Sequence, residues 1–142
     1  MGTILHRLDH WAKIAPDAPA QRYKSEGAWH AISARELQER VFYLALYLES
    51  IGLRSGEVSA IFSYNCPEWV QAELAPQLLG ALSAGLYPNS APKDIDYVLS
   101  QTAAKVLFVQ NRDYWTRIVG SDQSRKLPSS VEKVIVFDGD TS

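Results

Sequence analysis

The chain is short of the features that usually announce a catalyst. It has one cysteine, Cys66, so no internal disulfide can form, and a reducing compartment is the expected setting. Its charge is nearly balanced, with 14 basic and 16 acidic residues and a net charge of −2. No clustered basic face therefore points to a nucleic-acid partner. No stretch reaches the roughly 20 apolar residues that a bilayer span requires. Met1–His10 carries Arg7 and Asp9 where a secretory leader would be apolar, so the cytoplasm is the expected location. A phosphate loop, a nucleophile elbow and a recognisable metal-ligand spacing are all missing. The expected site residues are accordingly none for catalysis, none for a cofactor and none for a metal.

What is present is core material and a strong pattern. Of the 142 residues 46% are hydrophobic and 21% charged, which suits one compact domain and argues against disorder. Thr3 is placed to cap a first helix using Leu5, Leu8, Trp11 and Ala12, which Pro16 stops. Ala20–Lys24 and Ala28–Ile32 flank Ser25-Glu26-Gly27 and read as a small antiparallel hairpin, with Tyr23 and Trp29 half-buried. Ser33 and Glu36 have capping-box spacing. Behind them Leu37, Val41, Leu44, Leu48 and Ile51 share one helical face, and Glu36 and Arg40 form an i,i+4 pair.

From Gly52 to Gln110 the pattern is strand, helix, strand, helix, strand: Glu57–Ser63, Pro67–Ala84, Gly85–Pro88, Lys93–Gln101 and Lys105–Gln110. Apolar strands alternating with amphipathic helices imply parallel strands joined by crossover helices. Pro76 should bend the long second helix. Asn111 or Asp113 opens a further helix that Gly120 ends, and Val131–Phe137 holds a last strand. The expected fold is α/β, a mainly parallel sheet with helices on both faces and an N-terminal hairpin. Residues 1–32 supply the first helix and hairpin, 33–138 the α/β core, and 1–142 together one partial domain.

Each chemical candidate has a plain structural counterpart. Asp138-Gly139-Asp140 follows a strand as in aspartate-nucleophile phosphatases, but Asp and Gly are also ordinary turn residues. Gly80-Ala-Leu-Ser-Ala-Gly85 has phosphate-loop spacing but continues Leu-Tyr, and it lies at a helix end whose dipole repels phosphate. His6 and His10 stand one turn apart with no third ligand. Cys66 precedes Pro67 at a helix start, without a nearby histidine to activate it. Trp69, Tyr97 and Trp115 read as packing aromatics. Asn65 follows a strand's carboxyl end, where α/β ligands gather, and is equally suited to capping the next helix.

The stretch Ser33–Asp138 resembles the N-terminal part of the adenylate-forming superfamily, with the long-chain fatty acid–CoA ligases as the nearest group. Trp29–Leu37 is similar to its "strand, then S/T-x-x-E-L helix" opening. Ile51-Gly-Leu-Arg-Ser-Gly-Glu-Val58 is similar to its "GL-x-x-GD-x-V" turn. Ser63-Tyr-Asn-Cys-Pro-Glu-Trp69 is similar to "S-x-N-x-P-E-W". Leu79–Pro88, Ser90-Ala-Pro92 and Tyr97-Val-Leu99 are similar to "G-x-L-x-A-G…Y-P…S-P…Y-I-L", and Ala104-Lys-Val-Leu-Phe-Val109 to "A-K-V-L-F-V". The departures are Glu57 for the usual Asp, Ala91 where a hydroxyl cap is usual, and Pro76.

The resemblance implies a parent enzyme of fatty acid metabolism. It activates a carboxylate with ATP and magnesium as an acyl-adenylate, then transfers the acyl group to CoA. It implies fatty acid, ATP and CoA as the parent's partners, and allows a homodimer and peripheral membrane association. The family's phosphate-binding loop, magnesium motif and C-terminal lysine have no counterpart in these residues. The chain is therefore expected to be a non-catalytic scaffold slice that works with the remainder of the same polypeptide. Two other readings stay open at this stage: a free-standing flavodoxin-like nucleotide binder and an interaction domain.

Overall fold

In the computed structural model, residues 3–138 are described. Helix α1 (Ile4–Ile14) starts from a reciprocal cap: the Thr3 hydroxyl accepts from the His6 N–H at 3.3 Å, and His6 Nδ1 accepts from the Thr3 N–H at 3.3 Å. His6 is thus occupied as a helix cap. Strands β1 (Pro19–Ser25) and β2 (Ala28–Ser33) form the expected antiparallel hairpin. Its turn residues Glu26 and Gly27 both have positive φ, 50° and 80°, as a tight right-twisting hairpin turn requires. The outward face of the hairpin pairs Lys24 with Trp29. Trp29 is 72% exposed, not half-buried, because the helices cover only the other face, where Ile32 and Tyr23 pack.

Helix α2 (Ala34–Ser50) opens on the capping box read from Ser33 and Glu36. Ser33 Oγ accepts from the Glu36 N–H at 3.2 Å, and Glu36 Oε2 accepts from the Ser33 N–H at 2.7 Å. That bond holds the Glu36 carboxyl below its ordinary pKa, and Arg40 adds only a weaker attraction. Stability from this cap is therefore present above the ordinary glutamate range and is lost as pH falls through the lowered value. Ser33→Ala should cost about 1 kcal/mol yet keep most of that acid-limb loss, because the N–H that Glu36 accepts from belongs to the backbone, whereas Glu36→Gln should flatten it; urea melts at neutral and acid pH would measure both.

The main sheet contains β3 (Val58–Phe62), β4 (Leu82–Leu86), β5 (Val106–Asn111) and β6 (Lys133–Asp138), all parallel, in the order β4-β3-β5-β6. Helix α3 (Pro67–Leu78) links β3 to β4, α4 (Pro92–Thr102) links β4 to β5, and α5 (Arg112–Val119) links β5 to β6. Alternation along the inner strands sorts the core by face. Ile61, Val106 and Phe108 meet Leu37, Val41, Leu48, Ala72 and Ala75 on one side. Ala60, Phe62, Leu107 and Val109 meet Ile95, Leu99, Tyr114 and Ile118 on the other. Helices cover both faces, as expected, and Asn111 rather than Asp113 caps α5, accepting from the Tyr114 N–H at 3.1 Å.

Two boundaries differ from the sequence reading. The helix expected over Pro67–Ala84 stops at Leu78, and the strand expected over Gly85–Pro88 is β4, Leu82–Leu86. Gly80, with φ 71°, ends the helix: its N–H bonds to the Gln77 carbonyl at 3.1 Å, and the Ala81 N–H to the Pro76 carbonyl at 3.0 Å. Leu82, inside the expected helix, instead stands 60% exposed on β4, which among the described residues pairs on one side only, with β3. Pro76 falls in the last turn, where its missing N–H interrupts little further helix.

Candidate functional site

The connections leave β3 in one direction, through α3 to β4, and then return across it, through α4, to β5. Such a reversal opens a crevice beyond the carboxyl ends of the two adjacent strands, the usual ligand position in open α/β sheets. Here that crevice lies between Ser63-Tyr64-Asn65-Cys66 after β3 and Gln110-Asn111 at the end of β5.

The chain fills much of this crevice with its own polar groups. Gln110 Oε1 accepts from the Tyr64 N–H at 2.9 Å and lies 3.4 Å from Ser63 Oγ. The Ser63 hydroxyl, only 2% exposed, sits 2.7 Å from the Tyr64 carbonyl. Ser63 has no base beside it and is no activated nucleophile. Cys66 is the α3 N-cap but makes no side-chain cap bond. Burial pushes its thiol up from the ordinary range, outweighing the lowering by Ser63 and the Trp69 N–H. It therefore stays protonated at neutral pH, despite the helix start.

Asn65 is exposed and does not cap α3, because Cys66 already holds that position. It lines an open cleft of ≈630 Å³ between the hairpin and α3, with Arg22, Lys24, Trp29 and Glu68. Gln21 ties the two walls together, its Nε2 donating to the Pro67 carbonyl at 3.3 Å. Asp138 shares a shallow depression of ≈290 Å³ with Asn111, Arg112 and Asp113. Gly139 and Asp140, the rest of the phosphatase-like motif, lie outside the described residues. Among the described residues no three His, Cys, Asp or Glu side chains could hold a metal ion.

The Gly80–Gly85 spacing is spread over a helix stop and a strand, which leaves no phosphate cradle. Trp69 and Trp115 pack against the cores as expected, whereas Tyr97 is 67% exposed on the outer side of α4. Gly85 approaches Trp69 closely: a Cβ there would sit 3.4 Å from its ring.

Sequence reasoning passed over Gln110, Tyr64, Tyr114 and Arg117, which surround the crevice mouth. Phe62, Tyr64 and Tyr114 form one aromatic cluster, with ring centres 5.0 Å and 5.9 Å apart, and Arg117 lies over Phe62 and Tyr114. The missing signal was strand order. Only the placement of β5 beside β3 brings Gln110 to Tyr64.

Comparison with known proteins adds to this geometry. A family model described as "AMP-binding enzyme" matches residues 8–142. The long-chain-fatty-acid–CoA ligase heimdall of Drosophila melanogaster is 31% identical over 106 residues, covering 72% of this chain and 16% of that protein. The long-chain-fatty-acid–CoA ligase FadD15 of Mycobacterium tuberculosis is 27% identical over 103 residues, 72% of this chain and 17% of that protein. The chain thus aligns with about a sixth of these relatives' length. Among solved structures, the N-terminal domain of FACL13 from Mycobacterium tuberculosis superposes with a TM-score of 0.84 at 20% identity, covering 97% of this chain and 34% of that one. A fatty acyl CoA synthetase from the same organism gives 0.81 at 19% identity, covering 94% and 26%. These two likenesses show the fold.

Proposed function

Since this chain belongs to the AMP-binding enzyme family, we propose that it supplies the first α/β layers of an acid–thiol ligase acting on long fatty acids. The carrying observation is the family match over residues 8–142, joined to 31% identity with a long-chain-fatty-acid–CoA ligase. In the proposed reaction a fatty carboxylate attacks ATP, releasing pyrophosphate and forming an acyl-adenylate. The CoA thiol then displaces AMP. Magnesium would neutralise the phosphate charge in the first step.

The described residues serve this reaction as a scaffold. They hold no activated nucleophile or metal cluster, and the crevice between β3 and β5 is bridged by Gln110. Residues 1–32 act as an outer helix and hairpin, and 33–138 as the α/β core of one partial domain. A cytoplasmic setting suits the single cysteine. A homodimer and a peripheral membrane contact belong to the same proposal, as properties of the parent. Fatty-acid-dependent pyrophosphate exchange by the natural polypeptide carrying this sequence is the expected result. No exchange with acids of any chain length would sink the ligase reading.

A further inference from the structure

Tyr114 is 8% exposed, yet its hydroxyl has no hydrogen-bond partner. Native folds leave few buried polar groups in that state, so a missing partner is a reason to look for one. The polar side chains facing this hydroxyl are Tyr64 and Arg117, and burial keeps it protonated well past neutral pH, so it can donate.

Arg117 supplies the second observation. Its guanidinium carbon stands 4.8 Å from the Tyr114 ring centre and 5.4 Å from that of Phe62. Three cations are matched by carboxylates: Lys13 by Asp9, Lys105 by Glu57 and Glu132, Arg125 by Asp96. Among the described residues no carboxylate pairs with Arg117, although its side chain is held in place. A guanidinium held over ring faces can still turn N–H groups toward a planar or tetrahedral oxyanion. Tyr64, 57% exposed, stands edge-on to Tyr114 at the same rim. On the same helix Arg112 adds positive charge and Asp113 opposes it.

We propose that Arg117, Tyr114 and Tyr64 form an oxyanion subsite at the carboxyl end of β3, taking the phosphate or carboxylate group of a ligand that lies across the sheet rim. The guanidinium supplies charge and two N–H edges, and the phenols donate from the side. The position is the rim of the β3–β5 crevice, where this topology receives ligands. The subsite stands on geometry alone and does not depend on the ligase reading.

The test is an amide NMR titration of the 142-residue chain with inorganic phosphate and, separately, acetate, at constant ionic strength set with chloride. Saturable shifts at residues 62–64 and 114–117, with millimolar affinity, are expected. Saturation by phosphate alone assigns a phosphate-bearing ligand, and by acetate alone a carboxylate-bearing one; either supports the subsite. Arg117→Gln, a substitution at an exposed position, should weaken binding about tenfold, the usual loss with one charge-assisted contact. Tyr114→Phe should weaken it several-fold while leaving thermal stability equal or higher, since it deletes an unpaired buried hydroxyl. The proposal is overturned if neither anion saturates, or if either variant binds as the parent chain does.

Discussion

Phe108→Ala is expected to remove a large share of the chain's stability. Phe108 is fully buried on an inner strand and stacks on Phe137 with ring centres 5.7 Å apart. Truncating such a side chain typically costs about 3–5 kcal/mol, because the lost transfer energy is joined by an unfilled cavity. Whole domains are stable by only about 5–15 kcal/mol, so the urea midpoint should fall steeply while the slope stays constant. Phe42→Ala is the control. Phe42 is 53% exposed on α2, and its loss should shift the midpoint by about 0.5 kcal/mol or less. Equal shifts at the two positions would contradict the sorting of faces described for the core.

Gly80→Ala should be the other large effect, for a different reason. The residue holds φ 71°, a left-handed conformation that costs an L side chain about 1–2 kcal/mol. An added Cβ would also sit 2.7 Å from Ser55 Oγ and 3.4 Å from Ser55 Cβ. The neighbouring backbone has little room to yield, because the Gly80 carbonyl accepts from the Gly56 N–H at 2.9 Å. A total loss of about 2–3 kcal/mol is expected. The Ser55→Ala, Gly80→Ala double variant should recover part of it, since the closer contact goes and the left-handed strain stays. A double variant no more stable than Gly80→Ala would show that Ser55 is not the obstacle.

The same glycine shows where the sequence could be read and where it could not. Ser33 with Glu36, Thr3, Asn111 and Gly120 each mark an element end through a local hydrogen bond or turn, and each stands where its chemistry placed it. Inner strands β3 and β5 were legible because both faces are buried and the residues run apolar. The α3–β4 border was not. Leu74, Leu78 and Leu82 continue a four-residue spacing straight through the helix stop. The segment Leu82-Ser-Ala-Gly-Leu86 has neither a β-branched residue nor an aromatic to announce a strand. It becomes one because β3 offers a partner, which is tertiary information. Trp29 departs from the half-buried expectation for a related reason: which face of a hairpin is covered depends on where distant helices land.

The candidate site depends on contacts between distant parts of the chain. Gln110 meeting Tyr64 depends on strand order, and Arg117 lying over Phe62 depends on two elements 55 residues apart in number. Asn65 follows β3 but lines the hairpin cleft, while Tyr64 turns to the aromatic cluster.

The one-sided pairing of β4 has a consequence for handling the molecule. Along Leu82–Leu86 the outer row of amide and carbonyl groups has no neighbouring strand among the described residues, and the segment carries no lysine, proline or charge to discourage a newcomer. Such a border is a template: any extended peptide of suitable sequence can dock there as a fifth strand. In concentrated solution the readiest donor is an extended segment of another molecule, so β4 is where association through strand addition should begin, and Ser83→Lys should slow it.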